Sequence, residues 1–227
     1  EMELHVPYKP VRVDVDPQFD LFRRLSKGET PIALSKTFGS EKMLIVLPSR
    51  EEAEPLDAYR RLAHMWSTHG ANGVEVTLDS ELTELPSDRA VILLGWENFF
   101  VDEMAAALST SEVSITPTGV TIGGTSIPRA DHSVALTADN PKNTDHPLTW
   151  AAVDNVKSVP GLGRKLPHYG KYGYAMFRGN EPENILKGRW PVLGSSLTAY
   201  LGDEDRAASR VERGRLPARK PLAAPAE

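Results

Sequence analysis

Apolar positions along the chain fall into two kinds of run. Met43–Leu47 and Ala90–Leu94 are apolar without interruption, the pattern of strands buried on both faces. Between them Leu56, Tyr59, Leu62, Ala63 and Trp66 recur at helical spacing. Ser49 and Glu52 form a capping-box pattern ahead of that helix, Pro55 suits its first turns, and Gly70 stops it. Asn72-Gly73 then turns the chain into a strand at Val74–Leu78, and a further helix is expected from about Asn98 to Leu108 after Gly95. This order of strands and helices predicts an open α/β fold: a mixed, largely parallel sheet flanked by helices. An N-terminal β-strand and linker segment precede it, and an extended C-terminal tail follows.

The flanks carry different patterns. Val11, Val13 and Val15 alternate with Arg12, Asp14 and Asp16 before Pro17, which marks a strand that must pair with something, here read as the last strand of a preceding β domain. A short amphipathic turn, Phe19–Leu25, opens a docking linker that runs to residue 40. After the second helix the chain is β-rich. A hairpin is expected from Val113–Thr116 and Val120–Ile122, and strands at Ser133–Thr137 and Leu148–Val153 with a loop over 138–148 between them. A weak helix over Val159–Leu166, a strand over Tyr172–Phe177 and an extended stretch over 178–202 follow. Apolar periodicity ends at Asp203. The expected organisation is 1–40 as terminal strand and linker, 41–202 as an α/β accessory domain, and 203–227 as a disordered or loosely packed tail.

Composition narrows the class. In 227 residues, 40% hydrophobic and 25% charged content supports a substantial core. A net charge of −5 speaks against a nucleic-acid partner, which would call for a basic surface. The absence of cysteine removes disulfides, thiolate metal sites and thiol nucleophiles, and leaves the compartment open. No apolar stretch reaches the roughly 20 residues that cross a bilayer, so no transmembrane segment is expected. The chain opens at Glu1 rather than methionine, which reads as a trimmed or mature fragment.

Candidate chemistry is sparse. His64 and His69 are five apart with no glutamate between them, a spacing that turns the second ring about 140° away from the first. They form no zinc-peptidase helix, and no metal or cofactor is expected in this chain. His132 and His146 lie beside Asp131 and Asp145 without ligand spacing. Gly161-Leu-Gly163 lacks the third glycine of a dinucleotide fingerprint, and Ser195-Ser196 sits in no nucleophile elbow. The densest cluster is Lys165–Tyr174, where Lys165, His168, Tyr169, Lys171 and Tyr172 could line a site for an anion or a peptide carboxylate. The competing reading packs the tyrosine rings on the sheet and turns their hydroxyls to loop carbonyls. A small enzyme would need Asp139 and Asp154 to converge on the His168 loop.

Several segments together resemble the C-terminal portion of bacterial aminopeptidase N-like proteins of the gluzincin zinc metallopeptidase class. They are Val15–Leu25 with Glu29 and Pro31, Leu93–Asn98, Asp139–Asn143, Pro160–Tyr172 and Leu186–Pro191, spread over residues 11–197. The run Pro160-x-Leu-x-Arg-Lys-Leu-Pro-His-Tyr-Gly-Lys-Tyr172 is the most distinctive. The resemblance implies an α/β accessory domain beside a peptidase body, in the same protein or a partner chain, in the periplasm or cell envelope, with the cytoplasm left open. The family's H-E-x-x-H helix has no counterpart in the sequence, so none of its catalytic residues carries over. The alternative is a free-standing binding module that uses Lys165–Tyr174.

Overall fold

The computed structural model describes residues 5–69, 73–191 and 194–201; the expected tail over 203–227 lies outside them. Its elements run β1 (Arg12–Asp14), α1 (Leu34–Phe38), β2 (Lys42–Leu47), α2 (Ala53–His69), β3 (Gly73–Leu78), β4 (Ala90–Leu94) and α3 (Val101–Ala107). They continue with β5 (Val113–Thr116), β6 (Gly119–Ile122), β7 (Thr125–Pro128), β8 (His132–Asn140) and β9 (Asn143–Val153). The last are α4 (Val159–Lys165), β10 (Tyr174–Arg178), β11 (Glu183–Gly188) and β12 (Thr198–Tyr200). Two compact units result: Thr30–Leu193, and a smaller one that joins the chain up to Glu29 with the segment from Gly194.

The larger unit corrects the expected fold class. Among the described residues strand outweighs helix, 35% to 25%. Its seven-stranded sheet has the order β11-β10-β8-β9-β4-β2-β3. The β3-β2, β2-β4 and β4-β9 pairs are parallel, whereas β9-β8, β8-β10 and β10-β11 are antiparallel, so the sheet is evenly mixed and not largely parallel. Nor do helices flank it evenly. One face carries α2, α4 and Leu34 of α1, packed on Met43, Ile45, Ile92, Ala151 and Phe177. The other is covered by the short α3 and a separate three-stranded sheet, β5-β6-β7, through Met104, Val120, Ile122 and Ile127.

The misreading has a physical cause. Ser133–Ala138 of β8 is buried without interruption, because both faces of that strand are covered. Coverage on both sides erases the alternation that usually marks an antiparallel strand. The segment read as a loop over 138–148 is instead the end of a long hairpin, in which Asn140 pairs with Asn143. Its turn is fixed by side chains: Asn140 donates to Pro86 O at 2.9 Å and accepts from Lys142 N–H, and Asn143 donates to Ser87 O at 2.9 Å. The predicted capping box is absent. Ser49 lies ahead of α2, and its N–H goes to Asp79 Oδ1 at 2.9 Å.

Two buried polar residues hold the strand ends. Asp79, fully buried, also accepts from Phe99 N–H through Oδ2 at 2.9 Å, so one carboxylate ties the loop after β2 to the loop after β4. Asn98 donates to Val46 O at 3.0 Å and Leu94 O at 3.1 Å and accepts from Phe100 N–H. Removing it takes a donor from two buried carbonyls and an acceptor from Phe100 N–H, each lost hydrogen bond costing about 0.5–1.5 kcal/mol. Asn98→Ala should therefore lower the unfolding free energy by about 2–4 kcal/mol, read from urea denaturation.

In the smaller unit β1 pairs antiparallel with β12, so the N-terminal strand finds its partner within the chain. No helical turn forms over Phe19–Leu25. The segment is organised by charge: Arg23 donates from Nη1 and Nη2 to both oxygens of Glu29 at 2.8 Å, and from Nε to Asp16 Oδ2 at 2.8 Å. Glu29 also accepts from Ser26 N–H, Ser26 Oγ and Ser195 Oγ. Its side chain is buried, and the Arg23 bridge, with Ser195 and Ser26, holds its carboxyl far below the usual range. The stabilisation this gives is fully present above about pH 4.5 and drains away as the pH falls toward the depressed folded-state value. Glu29→Gln should flatten the stability of this unit between roughly pH 4.5 and 2.5, measured by peptic susceptibility of the Phe19–Leu25 segment, and lower it at neutral pH, measured by tryptic susceptibility at Arg23 and Arg24.

Candidate functional site

The Lys165–Tyr174 segment forms one edge of the larger unit. Lys165 ends α4, and its Nζ donates to Pro182 O at 2.6 Å, which makes it a tether. Leu166–Tyr169 is a 3-10 turn in which Leu166 is buried and His168 exposed. Tyr169 meets Phe177 edge-on at 5.1 Å and Tyr172 at 5.8 Å. The carbonyls of Tyr172 and Gly170 accept from Leu34 and Ser35 N–H at 2.9 and 2.8 Å. These two bonds satisfy the first free amides of α1, a helix without a side-chain cap. The loop backbone thus supports α1, while the half-buried tyrosine rings pack on each other and on Phe177.

The lysines behave differently. Lys171 is exposed, with Nζ 5.3 Å from the centre of the Tyr172 ring. Lys187 of β11, which the sequence reading did not connect to this loop, lies 5.4 Å from both the Tyr169 and Tyr172 rings. Arg189 Nε donates to Lys171 O at 3.1 Å. The structure therefore brings Lys171, Lys187 and Arg189 together at a tyrosine-rich surface, leaves His168 exposed in the adjoining turn, and gives Lys165 a different task. Lys187 was hidden because its distance in sequence is large, although its place on an edge strand is typical for lysine.

The other candidates separate. Asp139 faces Pro147 across the β8–β9 ladder, whereas Asp154 follows Val153, which faces Ser133. Six residues of strand, about 20 Å, lie between the two carboxylates, so they do not converge on the His168 loop. Gly161 and Gly163 are buried in α4, where Trp66 Nε1 donates to Gly163 O at 3.1 Å, so this G-x-G serves helix packing. Among the described residues no three His, Asp or Glu side chains cluster to hold a metal ion. No helix among them is long and apolar enough to cross a membrane. Trp96, Trp150 and Trp190 are all buried, and the indole N–H groups of Trp150 and Trp190 donate to Gly95 O and Thr137 O.

The smaller unit presents a surface of another kind. Arg12 and Asp14 of β1 bond to each other, and Asp14 accepts from Thr198 Oγ1 at 2.6 Å, so the charged side of the strand is half-buried. The valines on the other side are exposed: Val11 59%, Val13 40% and Val15 52%. Val13 pairs with Ala199, Val15 N–H donates to Leu197 O, and Leu201 N–H donates to Val11 O. Directly opposite residues share a face of a ladder, so one side of this ribbon is apolar throughout and open. Leu21 and Phe22 of the same unit are also exposed. The alternation of Val11, Val13 and Val15 was legible in the sequence; that the apolar side would face outward was not.

If the tyrosines support the fold and the lysines do not, truncations should sort them. Tyr169→Ala should cost about 2–3 kcal/mol, below the 3–5 of a fully buried aromatic. Lys171→Met and Lys187→Met should each change stability by less than about 1 kcal/mol, all read from denaturant melts. No family model matches the chain, and no curated protein matches it.

Proposed function

We propose that the chain is a non-catalytic accessory domain that packs against the peptidase body of an aminopeptidase-like metallopeptidase in the periplasm or cell envelope. The observation that carries the reading is the outward apolar face of the β1–β12 ribbon. A two-stranded ribbon is marginal alone, and contiguous apolar surface is expected where another protein surface covers it. The resemblance names the occupant, since its Val15–Leu25 segment belongs to the same small unit. In this role the chain contributes shape and contact, and the zinc and the reacting groups belong to the body.

A second reading, an anion-binding module, draws on Lys171 and Lys187. Two ammonium groups flank the Tyr172 ring at 5.3 and 5.4 Å with aromatic rather than carboxylate partners. It would make those lysines essential to binding and the ribbon valines irrelevant.

One experiment separates the two. An antibody to the larger unit should recover from the native host a protein whose mass-spectrometric sequence contains an H-E-x-x-H helix, in the same polypeptide or in a bound partner. For a bound partner, Val13→Lys with Phe22→Lys should abolish the association, and Lys171→Met with Lys187→Met should leave it intact. Recovery of a protein free of any such helix would overturn the proposal.

A further inference from the structure

The chain passes from β2 through α2 to β3 on one side of β2, then returns to β4 on the other side. The loops that follow β2 and β4 therefore diverge at the carboxyl ends of parallel strands. The divergence leaves space between the two loops. A cavity of about 330 Å³ is lined by Arg50 from the first loop, Trp96 and Phe99 from the second, Asp102 of α3, and Ile115 and Thr116 of β5.

Both lips are held rigidly. Asp79 ties Ser49 N–H to Phe99 N–H, and Asn98 ties Val46 O to Leu94 O. Preorganisation of this kind is what a binding site requires of its supporting residues. Charge is distributed unevenly around it. Glu97, which also lines the cavity, is paired with Arg129 at 2.8 Å, and Arg129 lies 3.8 Å from Asp154. In the lining, the Arg50 guanidinium rests on the Phe99 ring at 4.1 Å with no ion pair among the described residues, and Asp102 is exposed and likewise unpaired. Trp96 is only 7% exposed, and its Nε1–H is buried without an acceptor.

We infer that this crevice binds a small zwitterion with an apolar body, a free amino acid or a dipeptide. Its carboxylate would meet Arg50, a residue suited to bidentate capture, its ammonium group would meet Asp102, and its side chain would lie among Trp96, Phe99 and Ile115. The volume is at the small end of ligand sites, which excludes dinucleotide-sized molecules. Asp102 and Glu97 in the lining oppose a polyanion, and a lone arginine gives a phosphate little to hold. The inference is independent of the docking role.

Titration calorimetry with L-leucine, Leu-Leu, N-acetyl-leucine and leucinamide tests it on the whole chain. Leucine or Leu-Leu should bind saturably, and loss of either charge should weaken binding by about tenfold or more, since each charged hydrogen bond is worth about 1.5–3 kcal/mol. In Arg50→Met, leucine and leucinamide should bind equally weakly; in Asp102→Asn, leucine and N-acetyl-leucine should become equivalent. Both residues are exposed, so melting curves should be unchanged. No heat from any of the four compounds at millimolar concentration, or binding indifferent to both substitutions, would overturn the site.

Discussion

A strand with apolar side chains on both faces must be covered twice, and this requirement organises the larger unit. Ile45 and Ile92 point to one side, Val46 and Leu93 to the other, and all four are fully buried. The chain meets the first demand with α2 and α4. It meets the second with α3 and a three-stranded sheet, whose Val120, Ile122 and Ile127 reach the same core. Burying such a side chain contributes about 1.5–3 kcal/mol, so the two layers together dominate the stabilisation of the unit. The crevice follows from the same arrangement. Covering the second face with a small sheet places Ile115 and Thr116 opposite the loop after β4, where a helix alone would leave open surface.

Much of this was legible in the sequence, at the level of single elements. The runs Met43–Leu47 and Ala90–Leu94 became β2 and β4, and Leu56, Tyr59, Leu62, Ala63 and Trp66 became the inner side of α2. What the sequence could not carry was which strands neighbour one another. β4 pairs with β9, more than fifty residues later, and only the register reveals that half of the sheet is antiparallel. Polar residues were the other blind spot. Asp79 and Asn98 look like loop residues in a list of letters, yet each is buried and joins two loops or two strand ends. Their signal was faint: single Asp and Asn residues just beyond strands.

The segments that carry the family resemblance prove to be places where the fold is pinned. Asp16, Arg23 and Glu29 form one charged network. Asn98 joins two strand ends, Asn140 and Asn143 fix a hairpin, Gly170 and Tyr172 cap α1, and Trp190 seals the sheet at Thr137 O. The candidate ligand groups Arg50 and Asp102 fall outside those segments. The small unit inverts the usual amphipathic rule, with its charged side satisfied internally and its valines turned outward. That inversion is the physical ground for treating the chain as part of a larger assembly.

The central claim is that the apolar side of the β1–β12 ribbon is covered when the protein works. Hydrogen–deuterium exchange, followed by mass spectrometry on the isolated chain and on the native assembly, tests it most directly. In the isolated chain the amides of residues 11–15 and 197–201 should exchange quickly, because a bare two-stranded ribbon opens with little cost. In the assembly those same segments should be strongly protected, while β2, β4 and β9 remain slow in both. Equal exchange of the ribbon in the two samples would contradict the account.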